Sequence, residues 1–145
     1  MSKLVIVGTI AFDAIETPFG QTDKILGGAA TYIGLAASHY SVDAALVSVV
    51  GGDFPQNHLD LFTDKGLNTQ GVEIKAEGKT FFWKGRYHND MNTRDTLATE
   101  LNVLADFKPV VPESYRSAEV VLLGNLHPLV QLEVIAQMTD PKILM

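Results

Sequence analysis

Three segments of the sequence combine glycine with polar side chains directly after an apolar run. They extend from Gly8 to Asp13, from Gly51 to Asp53 and from Gly124 to His127. In open α/β sheets, ligands bind beyond the carboxyl ends of the strands, so these segments are the first candidates for a binding site. Asp13 could accept hydrogen bonds from paired hydroxyl groups, because both of its carboxylate oxygens are acceptors. A loop or cap aspartate would fit the same spacing equally well. Asn125, in the third segment, is a further candidate ligand contact.

A pair of glycines, Gly27 and Gly28, precedes a segment rich in small residues. Paired glycines let backbone amides approach a ligand closely at the amino end of a helix, although a tight turn needs the same residues. The Gly51-Gly52-Asp53 segment is interpreted differently, as a strand-to-helix turn in which Asp53 is the N-cap of the next helix. Any ligand contact made by that turn would be secondary.

The run from Phe81 to Tyr87 mixes aromatic and basic residues. It could cover a sugar ring or grip a polar ligand, and Phe82 and Lys84 are its candidate contacts. Its aromatic residues could equally form a dimer interface, because a small isolated flap of strands is marginally stable in water.

The composition excludes several classes of site. The chain has no cysteine, which rules out disulfides, thiolate zinc sites and a cysteine nucleophile. Its histidines are scattered, so no metal site is predicted. The formal net charge of -6 repels nucleic-acid phosphates and anionic membranes, so neither is expected as a partner. The short apolar start lacks a signal-peptide pattern, and we expect a cytoplasmic protein.

Continuous apolar runs predict strands that are buried on both faces of a parallel sheet. They span Leu4 to Val7, Ala44 to Val50, Val120 to Leu123 and Ile143 to Met145. Between these runs, apolar residues at helical spacing predict three helices. The helices span Ala29 to Tyr40, Pro55 to Lys65 and Leu129 to Met138.

Strands that alternate with helices predict βαβ units and an α/β fold, a three-layer sandwich. The middle of the chain differs, because residues 71–102 contain short strand-like runs broken by Glu77-Gly78 and by His88-Asn89-Asp90. We expect this segment to form a small antiparallel flap inserted into the sandwich, with residues 1–70 and 103–145 forming the α/β part. The last apolar run stops inside a predicted buried strand, which indicates that the sheet continues beyond it.

Taken in order, these features resemble the ribokinase-like, or phosphofructokinase B type, carbohydrate kinases. The resemblance covers essentially the whole chain. It is carried by the Gly8 to Asp13 segment, the Gly27-Gly28 turn with its small-residue helix, the Val49 to Asp53 segment and the central flap. It implies a large α/β domain with a small β-sheet lid that closes over the sugar.

The resemblance also implies roles for individual residues. Asp13 would bind sugar hydroxyls, Gly27 and Gly28 would line the sugar pocket, and the Phe81 to Tyr87 region would belong to the lid. Tyr32 is a further candidate substrate contact and occupies a position after the paired glycines where ribokinase-type members often have Asn. Ala11 occupies another position where those members often have Asn. Both departures argue against ribose itself as the substrate.

The Gly-Ala-Gly-Asp element of this family is absent from the sequence. In the family, that element supplies the anion hole and the catalytic base, and it lies in the second half of the protein together with the ATP site. The resemblance therefore implies a sugar, polyol or nucleoside kinase that uses ATP and Mg²⁺, with this chain as its substrate-binding half. No catalytic residue is assigned within the chain, and we expect the chain alone to be inactive.

Two other functions stay open at this point. The first is a sugar-binding or interaction module without phosphoryl transfer. The second is an unrelated α/β nucleotide-binding protein, which the missing phosphate-binding fingerprints disfavour. A homodimer through the lid is a further expectation, since lid-to-lid dimers are common in the family that the chain resembles.

The length of the natural reading frame tests the kinase interpretation. We expect sequencing past the codon for Met145 to reveal a continuation that contains Gly-Ala-Gly-Asp, and the intact mass of the native protein to be about twice that of this chain. A stop codon directly after Met145 would favour the non-catalytic binding module instead.

Overall fold

A computed structural model describes residues 3–40 and 42–145. In this part of the chain, ten strands and three α-helices follow one another along the sequence. They are β1 (Lys3–Val7), β2 (Ala11–Thr17), β3 (Gly20–Gln21), β4 (Ile25–Gly27), α1 (Ala29–Ala37), β5 (Asp43–Gly51), α2 (Gln56–Asp64), β6 (Asn68–Lys75), β7 (Phe82–Tyr87), β8 (Arg94–Glu100), β9 (Val120–Leu123), α3 (Pro128–Ile135) and β10 (Ile143–Leu144). Short 3-10 helices cover Asn102–Asp106 and Glu113–Tyr115.

The first sheet is parallel throughout, in the order β10-β9-β1-β5-β6. Its central strands are buried on both faces, as their continuous apolar runs predict. Val5 and Val7 face one core cluster with α3 and the 3-10 helices, whereas Ile6 faces another with α1 and α2. Helices on both faces of a parallel sheet make the three-layer α/β sandwich that the sequence predicts.

The strand order creates a topological switch at β1. The chain runs from β1 through α1 to β5 on one side, whereas β9 pairs with the other side of β1. In open α/β sheets, such a switch point leaves a crevice outside the carboxyl ends of the two diverging strands. Here those ends are Val7 of β1 and Leu123 of β9.

The second sheet is small and has the order β3-β2-β7-β8, with β4 also paired to β2. Strands β2 and β7 are parallel, whereas the other pairs are antiparallel. This sheet draws on two separate segments, 11–27 and 82–100, and β6 belongs to the first sheet. It therefore differs in extent from the expected flap of residues 71–102, because the pairing of β2 with β7 joins residues about 70 positions apart.

The predicted helices exist, with shifted ends. Helix α1 ends at Ala37 rather than Tyr40, and α3 runs from Pro128 to Ile135. The prediction that Asp53 caps α2 is wrong, because the N-cap is Pro55, without a side-chain hydrogen bond. The Asp53 carboxylate instead accepts hydrogen bonds from Thr80, and a side chain already engaged there does not cap α2. Among the described helices, none is both long and apolar enough to cross a bilayer.

A polar contact ties the amino ends of β1 and β5 to the 3-10 helix that ends at Tyr115. Tyr115 is buried, and its hydroxyl donates a partly buried hydrogen bond to Asp43 Oδ1. The Lys3 ammonium lies 5.2 Å from the centroid of the Tyr115 ring and donates to the Ser114 carbonyl. Desolvation first, and then the Asp43 carboxylate, raise the pKa of Tyr115 to about 12.

We expect Tyr115→Phe to lower the free energy of unfolding by about 1 kcal/mol at pH 7, because one partly buried hydrogen bond is lost. A tyrosine whose pKa is raised on folding stabilises the native state below its unfolded pKa of 10.0 and ceases to do so as the pH rises towards 12. The difference between wild type and variant in urea unfolding should therefore shrink above pH 10. Tyr40→Phe, at an exposed ring, is the control, and equal midpoints for all three proteins would contradict the assignment.

Candidate functional site

A crevice lies at the switch point, outside the carboxyl ends of β1 and β9. Its volume is about 560 Å³, which is within the range of small-molecule sites. Most of the wall is apolar, and three polar side chains interrupt it. The wall includes Phe81, Leu101 and Leu104 on the apolar side and Thr9, Asn125 and His127 as its polar groups.

Asp13 lies on β2 of the second sheet, opposite Ile25 of β4 and Trp83 of β7. Its carboxyl group rests over Gly27, where a Cβ atom would stand 2.1 Å from Oδ2. A side chain at position 27 would therefore force the Asp13 carboxylate out of this orientation. Burial raises the pKa of Asp13, and no hydrogen bond from the described residues offsets that effect. The carboxylate oxygens are therefore available to hydroxyl donors of a ligand.

Gly28 joins Asp13's strand pair to α1 and adopts a φ of 97°, in the region that favours glycine. A Cβ atom at this position would also lie 2.3 Å from the Thr9 carbonyl oxygen. Thr9 binds the first two amides of α1: Ala29 N–H donates to Thr9 Oγ1 at 3.0 Å, and Ala30 N–H donates to the Thr9 carbonyl at 2.9 Å. These two amides are thus already bonded, which favours the tight-turn interpretation of the paired glycines over amides presented to a ligand.

Phe82 and Lys84 lie on the opposite face of the second sheet from Asp13. In the parallel register, Phe82 pairs with Phe12 and Lys84 with Ala14, whereas Asp13 pairs with Trp83. Successive side chains of a strand point to opposite faces of the sheet. Phe82 and Lys84, on either side of Trp83, therefore cannot contact the same ligand face as Asp13. Phe82 packs against the core cluster that contains Phe12. The structure therefore does not bring these two candidates to the site.

Lys84 has a partner on its own face. Its ammonium group lies 2.7 Å from Glu16 Oε1, and the Arg86 guanidinium lies 2.8 Å from Glu16 Oε2. Hydrogen bonds from Lys84 and then Arg86 lower the pKa of Glu16. This exposed ion-pair cluster accounts for the basic residues of β7 without a ligand.

Trp83 shares the face of Asp13. Its indole ring folds over Gly85, where a Cβ atom would lie 2.0 Å from Cη2. The indole N–H donates to Thr96 Oγ1 at 3.3 Å, and the Arg94 guanidinium carbon lies 6.0 Å from the centroid of the Trp83 ring. The sequence analysis identified the aromatic run as a candidate ligand contact, but it selected Phe82 and Lys84 rather than Trp83. Asp13 pairs with Trp83, and side chains two residues apart on a strand share a face, so the face of Asp13 corresponds to Phe81 and Trp83. That selection requires the register of β2 against β7, which the sequence does not show.

The remaining candidates separate into two groups. Asn125 lines the crevice together with Thr9. Asp13 and Gly27 are not part of the crevice wall, but Thr9 also packs against Gly28, the residue next to Gly27. Tyr32 lies in the first turn of α1 with 60% of its surface exposed, and it is not part of the crevice wall. Thr9, Phe81, Leu101 and His127 are site residues that sequence reasoning did not choose, because they carry no distinctive local motif.

The amino end of α1 does not offer free backbone amides to the phosphates of ATP. No three histidine, aspartate or glutamate side chains within 3–40 and 42–145 are grouped as metal ligands. The amides of Ala29 and Ala30, at the amino end of α1, are bonded to Thr9 rather than free for phosphate. A polar carboxylate beside an apolar crevice suits a neutral ligand that carries hydroxyl groups.

Comparison with known proteins identifies relatives in sequence and fold, although no protein-family model matches the chain. The cytidine kinase of Thermococcus kodakarensis is 27% identical over 144 residues, which cover 99% of this chain and 50% of the relative. The nucleoside kinase of Methanocaldococcus jannaschii, an archaeal member of the ribokinase family, superposes with a TM-score of 0.77 at 19% identity, over 99% of this chain and 51% of that one.

The nucleoside kinase of Burkholderia thailandensis in complex with ADP-inosine superposes with a TM-score of 0.70 at 17% identity, over 92% of this chain and 48% of that one. The chain thus spans about half the length of the relatives it matches. These comparisons confirm both the predicted fold class and the resemblance: the chain has the ribokinase-like α/β fold and is similar to the ribokinase-like kinases.

Proposed function

We propose that this chain is the substrate-binding half of a ribokinase-like kinase that phosphorylates a nucleoside with ATP. The observation that carries the proposal is the Asp13 carboxylate, which lies over Gly27 with its oxygens unbonded by the described residues. A carboxylate can accept hydrogen bonds from two neighbouring hydroxyl groups, as the 2′ and 3′ positions of a ribose offer. Several named relatives are cytidine or nucleoside kinases.

The crevice favours a nucleoside over a free sugar. Phe81, Leu101 and Leu104 present apolar surface that suits the faces of a nucleobase, and a free sugar would leave this surface uncovered. Asn125, on the same wall, can donate to or accept from the edge of a base. His127 Nδ1 accepts from Leu129 N–H at 3.2 Å, so its Nε2–H is left to donate to the base. In this arrangement Asp13 holds the ribose and the crevice holds the base.

Asp13 acts in this proposal as a binding group, not as the catalytic base. Its desolvated carboxylate gains hydrogen bonds when the ligand hydroxyls arrive, so binding restores interactions that folding removed. ATP would supply the transferred phosphoryl group, and both ATP and Mg²⁺ would be held by residues outside this chain. The chain's own contribution is to orient the nucleoside and exclude water from it.

A non-catalytic nucleoside- or sugar-binding protein is the second candidate. The observation in its favour is the amino end of α1, where the Ala29 and Ala30 amides are bonded to Thr9 rather than free for phosphate. The two candidates share the site and differ only in phosphoryl transfer. The predicted homodimer through the lid and the predicted cytoplasmic location are independent of this choice and stay predictions.

Calorimetric titration and a phosphoryl-transfer assay on the full-length natural protein test the proposal. We expect saturable binding of cytidine or inosine, binding of free ribose at least about tenfold weaker because the crevice is left unfilled, and ATP-dependent phosphorylation of the nucleoside. Binding without phosphorylation would support the second candidate. Absence of binding for nucleosides and sugars alike would refute both.

Asp13→Asn should weaken nucleoside binding and stabilise the fold. Loss of the charged acceptor should raise the Kd about ten- to a hundredfold. Because burial raises the pKa of Asp13, the ionised group costs stability at neutral pH, and the cost disappears as the pH falls and the carboxyl is protonated. The variant should therefore have the higher unfolding midpoint at pH 7, with the difference shrinking towards pH 4.

Asp23→Asn, in the exposed loop before β4, is the matched control and should change neither the Kd nor the midpoint. A lower midpoint for Asp13→Asn at pH 7 would show that the Asp13 carboxylate stabilises the fold and has a structural role instead.

A further inference from the structure

Thr80, just before β7, is fully buried and uses all of its polar groups. Its N–H and its hydroxyl each donate to Asp53 Oδ1, at 2.8 Å in both cases. Its hydroxyl oxygen accepts from Gly51 N–H at 3.0 Å, and its carbonyl accepts from Asn102 Nδ2 at 3.0 Å. We call Asp53, Thr80 and Asn102 the hairpin clamp.

The hairpin clamp joins the beginning and the end of the β7–β8 hairpin to each other and to the first sheet. Thr80 stands at the entrance of the hairpin and Asn102 at its exit, and Asp53 belongs to the turn after β5 of the first sheet. Two backbone hydrogen bonds reinforce the junction: Gly52 N–H donates to Gly78 O at 3.0 Å, and Val103 N–H donates to Lys79 O at 3.1 Å. The hairpin is therefore attached at its base to the rigid parallel sheet.

Close packing makes this attachment specific. A Cβ atom at Gly51 would lie 2.4 Å from the Gly78 carbonyl oxygen, so the backbones touch directly. Asn102 has a φ of 50°, a conformation that asparagine tolerates better than most residues, and its side chain holds Thr80. Strand β8, at the far side of the hairpin, is by contrast exposed along nearly its whole length.

The clamp residues are direct neighbours of the crevice wall. Phe81 follows Thr80, Leu101 precedes Asn102, and both line the crevice. The Phe81 carbonyl also accepts a hydrogen bond from Phe12 N–H, at 2.9 Å, on the strand that carries Asp13. A displacement of the clamp would thus move two apolar walls and the Asp13 strand relative to the first sheet.

We infer that Asp53 is a positioning residue for the nucleoside site, acting through Thr80 and Asn102 to hold Phe81 and Leu101 in place against the crevice. The nucleoside ligand in this inference rests on the proposed function, whereas the hydrogen bonds from Asp53 to Thr80 and from Asn102 to Thr80 do not. Asp53 touches neither the crevice nor Asp13, so its effect reaches the ligand only through the clamp. It controls the affinity for the nucleoside rather than the transfer step.

The test compares Asp53→Ala, Asp53→Asn and Asp90→Ala in the full-length natural protein. Asp90 is the matched control, because it accepts the same kinds of hydrogen bonds, from Thr93 N–H at 2.8 Å and Thr93 Oγ1 at 2.5 Å, but at the far turn of the same hairpin. We expect Asp53→Ala to raise the Kd and KM for cytidine about tenfold with kcat changed less than about threefold. Asp53→Asn keeps an acceptor oxygen and should recover affinity to within about threefold of wild type.

Amide hydrogen exchange supplies a readout that does not need a ligand. In Asp53→Ala, amides of residues 79–103 should exchange faster, whereas those of β1 and β5 should keep their protection. Asn102→Gly, which permits the positive φ but removes the donor to Thr80, provides a milder variant and should show the same regional change even if Asp53→Ala does not fold.

Equal weakening by Asp90→Ala, or faster exchange spread evenly over the molecule, would overturn the inference, since both would indicate a general loss of stability. If wild type binds no nucleoside, the proposed function fails, and the exchange pattern still decides the clamp. Regional exchange would then support it, and unchanged exchange in residues 79–103 would overturn it.

Discussion

The packing at the carboxyl end of β1 is the constraint on which the rest of the site depends. Gly8 follows this strand, and a Cβ atom there would lie 2.9 Å from the amide nitrogen of Ala30. Gly124, after β9, donates to the Val7 carbonyl at 2.6 Å. Thr9 then binds the first amides of α1. Because a side chain at these places would separate the elements, the short distances keep β1, β9 and α1 together around one crevice.

This constraint links the two sheets. The chain leaves β1 through Thr9 and enters β2 almost at once, so the tight end of β1 also positions the strand that carries Asp13. The second sheet receives its other attachment from the clamp of Asp53, Thr80 and Asn102. Between these attachments, Phe12, Phe54 and Phe82 pack in one apolar cluster, with the Phe12 and Phe54 ring centroids 5.6 Å apart. A sheet anchored at its base and exposed at β8 is suited to covering a ligand.

Asp13 lowers the stability of the fold at neutral pH, because its ionised carboxylate is partly desolvated. Its carboxylate loses water on folding and gains no protein donor from the described residues, which is why its pKa is raised. The opposite arrangement holds for Tyr115 and Asp43 at the amino ends of β1 and β5, where the polar groups satisfy each other. An unpartnered carboxylate on β2, the strand that follows β1, and paired polar groups at the amino ends of β1 and β5 favour a ligand on the carboxyl side of the parallel sheet.

The sequence by itself determined the parallel sheet, its helices and the resemblance to the ribokinase-like kinases, because continuous apolar runs and helical spacing are local patterns. The resemblance further implied that Asp13, Gly27 and Gly28 serve one pocket, and this stays a prediction. Only the tertiary structure decided that β2 pairs with β7, and that register puts Trp83 rather than Phe82 or Lys84 on the face of Asp13. The tertiary structure also showed that Asp53 accepts hydrogen bonds from Thr80 instead of capping α2. Strand register and hydrogen bonds between distant segments are set by packing over the whole fold, and no local periodicity encodes them.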